Sequence, residues 1–153
     1  MRRVIAFALL SILIVGFIWG NSLKSIEQSS AQSTPVAESL QPVIDPEEKI
    51  EKPVFHESVR KLAHVAEFFL LGLSVVGFTL SLGAYLNKRF ISMPMLIVLF
   101  VAVMDEFIQH FTGRGSQVTD VMLDFAGALA GLGIVWLLCE IISTRKKRKE
   151  RAA

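Results

Sequence analysis

Residues 103–131, VMDEFIQHFTGRGSQVTDVMLDFAGALAG, join two apolar runs long enough to cross a bilayer, yet carry Asp105, Glu106, Gln109, His110, Arg114, Asp120 and Asp124. Ionisable groups near the ends of membrane spans are costly unless they pair or face a cavity. That cost constrains the fold more than any other feature, because the acids have to be gathered inside a bundle. The chain is 52% apolar, somewhat above a soluble domain, and the excess is collected in separate blocks. The class is therefore a polytopic membrane protein. Cys139, the single cysteine, lies in an apolar run and can form neither an intramolecular disulfide nor a thiolate cluster. A formal net charge of +2 gives no reason to expect nucleic acid.

The order of the chain supplies the spans. Met1, Arg2 and Arg3 precede an unbroken apolar run over residues 4–20, near the lower length limit for a spanning helix. A signal peptide also starts this way, but this run exceeds the usual apolar region and no small-x-small cleavage site follows Gly20. Residues 1–20 are read as a retained signal anchor and first transmembrane helix. Residues 21–55 are assigned to an extracytoplasmic loop, largely extended, because Ser, Gln, Pro and Glu dominate and Pro42, Pro46 and Pro53 discourage helix. Residues 56–142 form a three-helix membrane core, with spans over about residues 56–82, 90–107 and 120–142 and loops at 85–89 and 109–119. Pro94 falls near the start of its span, where proline disrupts least. Residues 143–153 are a basic cytoplasmic tail that orients the chain and touches anionic lipid.

Basic residues set the orientation. With the N-terminus inside, the inner segments hold Arg2, Arg3, Lys88, Arg89, the basic residues of 145–149 and Arg151, most of the 16 lysines and arginines. The expected fold is an all-α, four-helix membrane bundle with both termini cytoplasmic, in a bacterial plasma membrane.

That topology carries the polar residues to one leaflet. Glu57, Arg60, Lys61, His64 and Glu67 fall within an arc of about 120° on the second span. Asp105 and Gln109 are one turn apart on the third span, and Glu106 and His110 share an adjacent face. On the fourth span Asp120, Asp124, Gly127 and Gly131 align within about 60°. Gly127 and Gly131 are a small-xxx-small pair that lets a neighbouring helix approach closely. The acids above this seam therefore face the bundle. Lys61, His64, Glu67, Asp105, Glu106, Gln109, Arg114, Asp120 and Asp124 form the candidate binding pocket.

A structural reading competes with this one. The same residues can be an interhelical ion-pair network, with Glu57, Arg60 and Lys61 merely solvated at the water boundary. Against it stands cost: buried ion pairs stabilise little net of desolvation, and intramembrane hydrogen bonds average only about 0.6 kcal/mol. A metal is conceivable at His64, Glu67, Asp105 and Asp124, but the spacing matches no established metal motif and no metal is assigned. No nucleophile has a positioned base, so catalysis stays open. The Gly113-Arg114-Gly115-Ser116 turn offers N–H groups and a guanidinium to a phosphate or carboxylate.

At these residues the chain resembles the VanZ-like family. Lys61, His64 and Glu67 fit a K-x-x-H-x-x-E/Y element, and Asp105, Glu106, Gln109, Gly113, Arg114, Asp120, Asp124 and Gly127 fit a second, D-E-x-x-Q…G-R-x-x-x-x-x-D…D/N-x-x-G. Asn21 and Ser22 match a small polar patch after the first span. Thr112 stands where the family often has proline before the G-R pair, and the first loop is longer than in compact members. The resemblance covers about residues 4–142. It implies a bacterial envelope role and a link to glycopeptide (teicoplanin-type) tolerance; it implies no agreed catalytic mechanism and no cofactor. The expected partners are membrane lipid and a lipid-linked cell-wall precursor or the drug, bound or shielded by an outward-facing pocket. The alternatives are a membrane-embedded enzyme altering head groups, with Glu67 or Asp105 as base and Arg114 as anion clamp, and a small structural or transport partner.

Overall fold

The computed structural model describes residues 1–152 as five helices: α1 (Arg2–Ser22), α2 (Ile26–Ile44), α3 (Lys52–Leu86), α4 (Ser92–Phe111) and α5 (Val118–Ala152). Four of them, α1, α3, α4 and the Val118–Arg145 part of α5, are long and apolar enough to cross a membrane. Large apolar side chains such as Ile12, Leu13, Phe17, Phe100, Phe107 and Leu137 point outward, which suits a hydrocarbon surround rather than water. The chain is a multi-pass membrane protein.

Helix α3 is the hub and packs against each of the other four. Its inner face supplies Phe68, Leu71, Val75 and Val76, which are buried with Ile18 of α1, Val98 and Ala102 of α4, and Ala128 and Leu132 of α5. Helices α3 and α5 come closest. A Cβ on Gly131 would collide with the Phe69 carbonyl oxygen, one on Gly127 would stand 2.6 Å from that of Val65, and one on Gly72 would collide with the Ala128 carbonyl. Backbones at this separation gain dispersion along their whole length, the driving force left to helices already in an apolar solvent. Helix α1 is held by Ser11 Oγ and Ser74 Oγ, 2.7 Å apart in mid-span, and by the Phe7 ring over Gly77.

The helix ends follow from local chemistry. Pro53 occupies the first turn of α3, where its missing N–H costs nothing. Asn87 ends α3 in the left-handed conformation while Lys88 N–H closes on Gly83 O at 2.9 Å. Residues 1–4 lie beside Leu80 and Tyr85, and residues 139–143 lie beside residues 87–91. Helix α1 thus begins, and α5 leaves the bundle, at the end opposite the acidic cluster. Helix α5 continues through the basic tail as far as Ala152.

One expectation fails. The segment after the first span is not extended: residues 26–44 form α2. Ser25 Oγ accepts from Gln28 N–H at 3.3 Å and Gln28 Oε1 accepts from Ser25 N–H at 3.2 Å, a complete capping box. Pro35 and Pro42 each delete one intrahelical bond, but docking on α3, with Ala37 and Gln41 buried, sustains the helix. Asp45 then turns the chain into α3, its two carboxylate oxygens accepting from Lys49 and Ile50 N–H at 3.0 and 2.8 Å.

Candidate functional site

The α4–α5 turn builds the site. Gly113 has φ +72°, a conformation that side-chain-bearing residues rarely adopt. Its N–H donates to His110 O at 3.4 Å and Arg114 N–H to Gln109 O at 3.1 Å, the two bonds of a Schellman closure. This reversal sends the Arg114 side chain back over the bundle instead of out into water, and Arg114 is only 5% exposed. Its Nη1 donates to Asn21 O at 3.3 Å and its Nη2 reaches His64 Nε2 at 3.5 Å. Guanidinium has only donors, so the facing imidazole nitrogen carries the lone pair and the ring proton sits on Nδ1. Burial lowers the pKa of Arg114 and the nearby Arg60 adds to this, but arginine retains its charge in proteins.

Beneath the arginine lies Asp105, fully buried. Ser22 Oγ donates to its Oδ1 at 2.6 Å and Gln109 Nε2 to its Oδ2 at 2.7 Å. Both donors are neutral. The i, i+4 spacing of Asp105 and Gln109 accounts for one bond; the other ties the exit of α1 to α4 across 83 residues of sequence. Thr112 Oγ1, donating to Ser22 O at 3.2 Å, adds a second tie between the same two helix ends. Glu67 accepts from Asn21 Nδ2 at 3.1 Å, and Lys24 Nζ donates to Asn21 Oδ1 at 2.8 Å. Glu106 accepts the Gln117 N–H at 3.0 Å and so fastens the turn to α4. At the rim Lys61 bridges Glu57 at 3.1 Å and Asp120 at 3.3 Å. Asp124, 3% exposed, has no hydrogen-bond or ion-pair partner among the described residues.

The structure thus gathers Lys61, His64, Glu67, Asp105, Glu106, Gln109, Arg114, Asp120 and Asp124 at one end of the bundle, while His110 stays outside it, stacked edge-on to Phe111. Sequence reasoning noted Ser22 only through the polar patch of the family resemblance, gave no role to Thr112 or Gln117, and read Arg60 as solvated. Apart from that patch, the signal that points to Ser22 is a hydroxyl at the exit of a span, on the face turned to the acids.

Two spaces open from this cluster. A small cleft of about 30 Å³ lies among Lys61, His64, Glu106, Gln109, Asp120 and Asp124, enough for an ion with a water or two. A larger hollow of about 420 Å³ lies between α1, α2 and α3, lined by Phe17, Val36 and Val59 and by Lys24, Gln32 and Glu67. Arg60, His64 and Arg114 form the wall that both share.

A family model, VanZ/LLP1, matches residues 7–139. The chain belongs to the VanZ/LLP1 family. No curated protein and no solved structure matches it. The match spans α1 through most of α5, so it includes the α1 exit, the G-R turn and the α3–α5 glycine seam alike. In this VanZ-family chain the turn glycine and the arginine after it have one geometric explanation: the first reverses the backbone and the second is thereby folded over the acids.

Proposed function

We propose that this VanZ-family protein binds the anionic head of a lipid-linked cell-wall precursor at the outer face of a bacterial plasma membrane. Shielding that head from a glycopeptide drug is how it would contribute to teicoplanin-type tolerance. One observation carries the reading: the larger hollow sets Lys24, Arg60 and Arg114 beside Phe17, Val36 and Val59 at the end of the spans. Cations next to an apolar wall suit an amphiphile, whose charged head meets the guanidinium while its first methylenes lie along the helices. The volume of about 420 Å³ lies within the usual range for small-ligand sites. The outward orientation rests on the distribution of lysine and arginine.

Purified chain titrated with a polyprenyl-pyrophosphate lipid and followed by native mass spectrometry tests it. Arg114→Gln should lower the affinity by about tenfold or more, as expected for loss of a charge-assisted contact worth roughly 1.5–3 kcal/mol. Glycopeptide tolerance in cells should fall with it. Equal binding by wild type and variant would overturn the reading. A change in the mass of the lipid on incubation would replace a binder with an enzyme.

A further inference from the structure

Carboxylates outnumber cations in the cluster, and the ion pairs leave part of that charge unmatched. Lys61 is taken by Asp120, Glu106 receives only a backbone N–H, and Asp105 receives only neutral donors. Asp124, nine-tenths buried and more, receives nothing among the described residues and lines the small cleft. Buried carboxylates are normally paired or bound to a metal. Ligand atoms of His64, Asp105 and Asp124, from three different helices, all lie within 4.8 Å of one another.

We propose that His64 and Asp124, which line the small cleft, and Asp105, buried beside it, bind a first-row divalent cation with the donor set of a zinc or manganese site. One imidazole and two carboxylates suit those ions. Tetrahedral coordination wants donor atoms about 3.4 Å apart, given metal–ligand bonds of roughly 2.1 Å, so the three side chains close inward by an ångström or so on binding. Two of the three have outer partners nearby. His64 Nε2 carries the lone pair, and Nδ1 lies 3.8 Å from Glu67 Oε2, the carboxylate that would accept the Nδ1–H and orient the ring once the two draw together. Asp105 is held by Ser22 and Gln109 and keeps a second lone pair on each oxygen. Three protein ligands leave a coordination position open toward the cleft. Arg114 Nη2 stands 3.5 Å from the same imidazole nitrogen, so the guanidinium swings aside when the ion binds.

This inference does not rest on recognition of a lipid head, and the two can fail separately. Zn²⁺ is titrated calorimetrically into chelator-stripped, full-length protein in detergent, without lipid. One ion per chain is expected. His64→Ala and Asp124→Asn should each weaken binding about tenfold or more, while His110→Ala leaves it intact. Absence of saturable binding, or wild-type affinity in both ligand variants, overturns the proposal. Co²⁺ added to the wild type gives a readout that no variant's folding can disturb. An intense visible absorption from four- or five-coordinate cobalt supports the site, and a spectrum unchanged from that of aqueous cobalt refutes it.

Discussion

Gly131→Val is expected to separate α5 from α3 and to leave little folded protein in a detergent extract. Its first added carbon would fall on the Phe69 carbonyl oxygen and only 3.0 Å from Leu73 N. Those are backbone atoms, which cannot turn aside as a side-chain tip can. Overpacking costs typically about 1–3 kcal/mol even where side chains can shift, and here whole helices must move. That loss is large beside a total stability of roughly 5–15 kcal/mol. Apolar burial cannot compensate, since α5 leaving α3 exchanges one apolar neighbour for another. Gly133→Val is the control: a Cβ there meets nothing within 4 Å. Thermal melting followed by circular dichroism should show a large loss for Gly131→Val and almost none for Gly133→Val. Equal effects would mean that helix propensity, and not the seam, decides.

The second large effect is expected from Asp105→Ala. It removes the acceptor that Ser22 and Gln109 share, strands the Ser22 hydroxyl in a buried setting and leaves Gln109 Nε2 only the long 3.5 Å contact to Ser22 Oγ. An orphaned buried donor costs about 1–3 kcal/mol, more than the net worth of the bond that was broken. The double variant Ser22→Ala/Asp105→Ala should therefore lose less than the sum of its parts. Intramembrane bonds measured in such cycles average only about 0.6 kcal/mol, which sets the scale of the coupling. Melting of the single and double variants gives it. Strict additivity would show that α1 is not held to α4 through this carboxylate.

How much of this was legible varies by element, for physical reasons. The four spans follow from run length, and the α3–α5 face from the phase of Gly127 and Gly131, because periodicity records which side of a helix is in contact. Helix α2 was missed because its composition and prolines argue for loop, although Ser25-x-x-Gln28 is a readable capping box. Tertiary docking on α3 outweighed local propensity. Helix α4 runs on to Phe111, past the expected end of its span, because the chain stops where Gly113 can take a positive φ rather than where hydrophobicity fades. The gathering of acids at one end followed from topology alone. Their partners did not: that Ser22 holds Asp105 and that Arg114 folds inward depends on rotamers and turn geometry, which no spacing rule encodes.

Which side of the membrane the cluster faces is the point on which the proposed role most depends. On a Cys139→Ser background, Gly115→Cys introduces a thiol at the exposed rim of the cleft, and Asn87→Cys one at the opposite end of the bundle. A membrane-impermeant maleimide is applied to intact cells and then to lysed ones. Labelling at position 115 in intact cells, with position 87 reactive only after lysis, is the expected result. The reverse pattern would turn the arginines and carboxylates toward the cytoplasm, away from any precursor or drug outside.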